Sequence, residues 1–182
     1  IIGCRFINNS APATFSLGGA IFCDNGGQAT FGAVIKDSVF YNNSVGRHGG
    51  AIDWFRADNG LIENCNFTDN HAYSNGGAIY AGDDNSDGEN LTIRNCNFIR
   101  NDAGIAAGAL CLQFESSHVV NTVFDSNKAY VGGTIYCVNP KASNTEYVNC
   151  TFINSTTCNT VRHSEADNGG AVKENIAKEE AE

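Results

Sequence analysis

The stretch Ile62-Glu63-Asn64-Cys65-Asn66-Phe67-Thr68-Asp69-Asn70, followed after five residues by Gly76-Gly77-Ala78-Ile79, decides the fold, because its two words recur along the chain. Phe6, Phe40, Phe67, Phe98, Phe124 and Phe152 head the first word, and Asn9, Asn43, Asn70, Asn101 and Asn127 close it, with Ser155 in the last copy. The second word begins at Gly18, Gly49, Gly76, Ala107, Gly132 and Gly169. Phe-to-Phe spacings are 34, 27, 31, 26 and 28, so the words persist while the gaps vary. Strong words at a loose period of this size mark a solenoid whose loops differ in length.

Aligning the units on Phe exposes further columns. Cys4, Ser38, Cys65, Cys96, Thr122 and Cys150 stand two residues before it, all small. Gly3, Asp37, Asn64, Asn95, Asn121 and Asn149 precede these, and Ile1, Ile35, Ile62, Ile93, Val119 and Tyr147 stand five residues before Phe. Period-two alternation of β-branched and aromatic residues, punctuated by Asn and Gly, is strand chemistry. A sandwich gives successive strands different surroundings. A parallel β-helix sets each coil on the last, so like lies on like about 4.8 Å apart. The columns therefore predict an all-β, right-handed parallel β-helix of about six coils over residues 1–172, with 173–182 a charged cap, spacer or tail. The Phe, aliphatic and small columns are expected to line the interior. The inner Asn column is expected to bond along the stack, and the double Gly to supply special backbone angles at a corner.

Composition narrows the partners. The net charge is −9, of which the last ten residues carry −2, and the six arginines are dispersed. Such a surface argues against nucleic acid, which needs clustered Lys or Arg, and against anionic lipid. No apolar run is long enough to insert in a bilayer. The chain starts in mid-unit, which leads us to expect a piece of a longer repeat protein. The eight cysteines leave two readings open. They are either packed thiols, or thiols with at least one bridge between adjacent coils such as Cys65 and Cys96, whose stack spacing lies within the roughly 4.4–6.8 Å that a disulfide allows.

In these paired words the chain resembles the polymorphic outer-membrane proteins of chlamydiae, whose repeats are named for Gly-Gly-Ala-Ile and Phe-x-x-Asn. It is similar also to adhesin-like proteins of methanogenic archaea and to surface proteins of some parasitic protists. The resemblance implies an extracellular or cell-surface β-helix used for adhesion or as a stalk. Its partner would be a host or neighbouring cell-surface protein or glycan, and its coil ends could self-associate. Ala107, Thr134 and Ser155 depart from the pattern, which predicts less regular fourth, fifth and last coils.

Three groups of side chains are candidates for function. Phe22, Tyr80 and Tyr136 fall on alternate coils in the column after the inward aliphatic one, giving an aromatic stripe on a predicted solvent face. Asp83, Asn85 and Asp87, with the backbone carbonyl of Glu89, reproduce the opening of a calcium loop, although Asp, Asn, Ser and Gly equally favour a bare turn. Asn-x-Ser/Thr sequons stand at Asn8, Asn42, Asn66, Asn90, Asn149 and Asn154, of which Asn42 and Asn90, near corners, are expected to be the accessible ones. A non-catalytic scaffold is the expected function. The alternative is a polysaccharide lyase or hydrolase, and for that the outward column offers a single carboxylate, Asp53.

Overall fold

The computed structural model describes residues 1–24, 32–55, 58–82, 90–113, 116–137 and 145–157, with the backbone of 172–174. The chain winds as a parallel β-helix whose strands form four sheets, numbered here in chain order. Three have six strands and the fourth has five. One turn runs Asn66–Thr68 in the first sheet, His71–Ala72 in the second, Ile79–Ala81 in the third and Thr92–Arg94 in the fourth. Every pairing is parallel, and the registers follow the sequence columns: Phe40 pairs with Phe67, Ile79 with Leu110, and Ile93 with Val119. Four of the six rungs in the first sheet, those of Phe40, Phe67, Phe98 and Phe124, are flanked on both sides. Pairing in the third sheet runs on to Glu174, two residues past the expected end of the helical domain.

The interior is built from stacked identical groups. Six phenylalanine rings lie face to face with centroids 4.7–5.1 Å apart and planes within 12° of parallel. Ile52, Ile79, Leu110 and Ile135 from the third sheet and Ile35, Ile62, Ile93 and Val119 from the fourth close around them. Trp54 is fully buried in the same core. It has room because Gly60 lies opposite, where a Cβ would come within 2.4 Å of the indole.

Corners explain the remaining columns. Asn64, Asn95, Asn121 and Asn149 all take positive φ, between 49 and 54°, at the turn from the fourth sheet into the first. Asn tolerates this left-handed conformation better than most residues. The inner asparagines do what their column predicts. Asn43 Nδ2 donates to Asn70 Oδ1 at 2.9 Å and to the Phe6 carbonyl at 3.0 Å, and Asn43 Oδ1 accepts from the side-chain and backbone N–H groups of Asn9. Asn70 and Asn101 repeat the pattern towards Asn127.

The glycine pair divides its labour, a correction to the expectation that both residues supply special angles. Among the described pairs only the first residue has positive φ, and Ala107 adopts the same conformation at 61°. The second is there for close approach. A Cβ on Gly50 would stand 1.9 Å from the Gly77 carbonyl oxygen, and one on Gly77 2.1 Å from that of Gly108. The expected irregularity falls between the fourth and fifth coils, where the second sheet slips register between Ala103 and Ala106 while Phe98 still meets Phe124.

Because each interior coil is stabilised from both sides, Phe98→Ala should lose about 3–5 kcal/mol through the cavity it leaves. Phe6→Ala, in a half-buried outer coil, should lose clearly less. Urea unfolding followed by Trp54 fluorescence measures both, and equal losses would contradict the stacked-column account.

Candidate interaction surface

Phe22, Asp53, Tyr80, Cys111 and Tyr136 are register partners along the outer side of the third sheet, so the predicted column exists. It is not the solvent face that the alternation predicted. Asp53 and Cys111 are fully buried, Tyr80 is 4% exposed and Tyr136 is half-buried, leaving Phe22 as the exposed member at 47%. The cause is a second layer. The segment between the second and third sheets lies over this face, where the His48 ring stacks on Tyr80 with centroids 4.3 Å apart and Ala107 packs with Tyr80, Cys111 and Tyr136. The three aromatics therefore do not form one open platform.

Beneath that layer sits an expensive group. Neither carboxylate oxygen of Asp53 has a hydrogen-bond partner among the described residues. Burial pushes its carboxyl up to about 8, with the nearby Arg47 charge pulling the other way. Asp53 is therefore mostly protonated at neutral pH. Burial likewise pushes the Cys111 thiol up. Contact with Cys65, together with burial, pushes the Cys96 thiol up. Such thiols are poor nucleophiles.

The cysteine column has a task that packing alone does not describe. None of the seven described cysteines is joined in a disulfide. Cys65 Sγ donates to the Glu63 carbonyl at 3.2 Å and Cys96 Sγ to that of Arg94 at 3.2 Å, while Ser38 Oγ and Thr122 Oγ1 reach the equivalent carbonyls at 2.7 and 2.9 Å. Cys, Ser and Thr interchange here because each is a small donor that closes the same corner. The interchange itself was the signal for this role.

All six sequon asparagines are exposed, so accessibility is not confined to Asn42 and Asn90. Asn66 points outward from the first sheet, and Asn149 sits at a corner with φ of 52°. Asn42 Nδ2 is bonded to Asn8 Oδ1 at 2.9 Å, and Asn90 Nδ2 to Asn59 Oδ1 at 3.3 Å. Asp83, Asn85, Asp87 and Glu89 lie outside the described residues. Among the described residues no three His, Cys, Asp or Glu side chains converge as metal ligands, and no helix is long and apolar enough to cross a membrane.

The outer faces carry ion pairs between coils. Glu63 accepts from Lys36 and Arg94 at 2.8 and 2.7 Å, and Arg100 grips both oxygens of Asp69 at 2.8 Å. The two salt-bridge hydrogen bonds hold the Glu63 carboxyl below its usual range. In the second sheet, His71 meets Asp102 at 3.0 Å. Exposed pairs of this kind add register specificity more than stability.

Stacked strands, structural corners and a mixed outer surface define a β-helical repeat protein. Residues 37–53 and 64–82, the second and third units, match the Chlamydia polymorphic membrane protein repeat, and the chain resembles the proteins built from it. No curated protein matches the chain, and neither does any solved structure.

Asp53 generates a pH test. Its folded-state value of about 8 exceeds that of an unfolded aspartate, so between the two the folded state holds the extra proton. Stability should then fall as pH rises towards 8, by at most about 1.4 kcal/mol per pH unit. Asp53→Asn should remove this slope and gain on wild type as pH rises from roughly 5 to roughly 8. Thermal melts across that range check it, and parallel profiles for the two proteins would refute it.

Proposed function

We propose that this chain is a non-catalytic β-helical segment of a cell-surface protein, a scaffold that holds its corners and outer faces towards a protein or glycan on another surface. The observation that carries this reading is the division of labour among residues. The repeated Phe, Asn, Gly, Ile and Cys/Ser/Thr positions each hold one coil to the next, which leaves the variable, outward positions for recognition. The match of two units to a membrane-protein repeat supports a surface location. Stacking on a neighbouring β-helical segment through the coil ends belongs to the same reading.

Two assays bear on it. Beads coated with the chain should adhere to cells above the level of beads coated with an unrelated acidic protein. The chain should leave pectate, alginate, hyaluronan and dextran undegraded, as followed by reducing ends and by unsaturated-product absorbance. Sustained depolymerisation of any of the four would end the scaffold reading in favour of a polysaccharide lyase or hydrolase.

A further inference from the structure

The two most exposed large apolar side chains among the described residues are both aromatic, Phe15 at 81% and Tyr73 at 71%. Both stand on the edge between the second and third sheets, and Ile105, 52% exposed, follows Tyr73 on the next coil. The edge is tightly built. A Cβ on Gly46 would lie 2.0 Å from the Ala13 carbonyl oxygen, and one on Gly104 2.2 Å from that of Tyr73. Backbone bonds tie successive coils together here, from Ser74 N–H to the Arg47 carbonyl at 3.0 Å and from Ile105 N–H to the Ser74 carbonyl at 2.8 Å. Phe15 itself sits in a turn closed by the Ser16 N–H on the Ala13 carbonyl at 2.9 Å. These rings are displayed on fixed backbone, which reduces the ordering needed on binding.

Their setting favours a sugar over a protein. A protein interface buries about 800 Å² on each partner around a contiguous apolar centre. Here the rings are parted by the coil that carries Arg47, and Ser16 and Ser74 adjoin them. An aromatic ring offers an apolar face of about the size of one pyranose, and hydroxyl-rich ligands use the polar groups between. Phe15 and Tyr73 stand two rungs apart, roughly 10 Å along the solenoid axis, a distance that an extended oligosaccharide spans. The net charge of −9 disfavours sulfated or uronic chains.

We propose that this edge binds a neutral, extended glycan, with Phe15 and Tyr73 stacking on two of its sugar residues and the adjoining Ser16 and Ser74 meeting its hydroxyls. The proposal rests on the scaffold reading above and names the class of partner that the scaffold holds.

Calorimetric titration of the full chain with cellotetraose, chitotetraose, lacto-N-tetraose and a sulfated heparin tetrasaccharide tests it. Compared with wild type are Phe15→Ala, Tyr73→Ala and, as a control on the outer face of the first sheet, Tyr41→Ala. At least one neutral tetrasaccharide should bind saturably and the heparin fragment should not. Each edge variant should weaken binding about ten-fold while Tyr41→Ala leaves it unchanged. Thermal melts should be the same for all four proteins, because the substituted rings are exposed. Absence of binding by every neutral sugar, or equal binding by the edge variants, overturns the glycan site. If coated beads still adhere to cells after that result, the scaffold reading survives, and loss of adhesion in Phe15→Ala would then assign the edge to a protein partner. Failure of both sugar binding and bead adhesion removes both.

Discussion

Everything in this fold depends on one hydrogen-bonded column, the buried asparagines Asn43, Asn70, Asn101 and Asn127. A coil that turns sharply leaves backbone groups facing inward, and an unpaired buried polar group is costly. In a stack of coils the same shortage recurs every rung, so the same side chain can meet it every rung. The amide suits this task because it carries two donors and an acceptor with two lone pairs. Asn70 uses all of them: its Nδ2 reaches Asn101 Oδ1 and the Phe40 carbonyl, and its Oδ1 takes both N–H groups offered by Asn43. Each asparagine completes the coil before it and is completed by the coil after it. That mutual dependence makes the solenoid cooperative along its axis rather than a string of independent turns.

The corners show how such a stack tolerates gaps of unequal length. The left-handed turn from the first sheet to the second is held by Asn8, Asn42, Asp69, Arg100, Ser126 and Asn154, all with φ of 52–58°. Backbone conformation is constant there while side-chain identity drifts, because these side chains face outward and only the dihedral angle is needed. The turn into the third sheet is stricter. Its second residue has a carbonyl of the next coil where a Cβ would stand, so Gly19, Gly50, Gly77 and Gly108 cannot be exchanged without parting the coils. Insertions are accommodated elsewhere, as in the coil that carries Phe15, where extra residues separate the second-sheet strand Ser10–Ala11 from Gly18.

The stacked-strand fold, the inward columns and the asparagine ladder were legible in sequence because a β-helix turns each structural requirement into a repeated letter. Phe67 over Phe98 is as plain in the alignment as in the ring stack. What repetition hides is chemistry that different letters share. Ser38, Cys65 and Thr122 looked like small packing residues, yet all donate to the carbonyl two residues back. The aromatic stripe failed for another reason. Alternation tells which side of a strand a residue occupies and nothing about what is laid upon that side. Tyr80 points outward and is buried all the same, because His48, five residues before the neighbouring Asp53, folds across the coils onto its ring. No local period encodes that contact. The open aromatics Phe15 and Tyr73 lie between the repeated words, where the alignment supplied no column to read.

Variation within a column is therefore an unsafe guide to exposure in this architecture. The series Phe22, Asp53, Tyr80, Cys111 and Tyr136 varies as a surface would, but its middle members are sealed and one of them is an aspartate with no hydrogen-bond partner among the described residues. A second layer above the sheet removes the requirement that members resemble one another, since their surroundings are set by overlying residues such as His48 and Ala107. It does not remove the cost of burying charge, and the raised Asp53 carboxyl is where that cost shows. The edge that carries Phe15 and Tyr73 behaves in the opposite way. Its backbone is pinned by bonds between coils while these two rings stand open to solvent. Recognition by a repeat scaffold needs both properties at once, and the edge between the second and third sheets combines them at Phe15 and Tyr73.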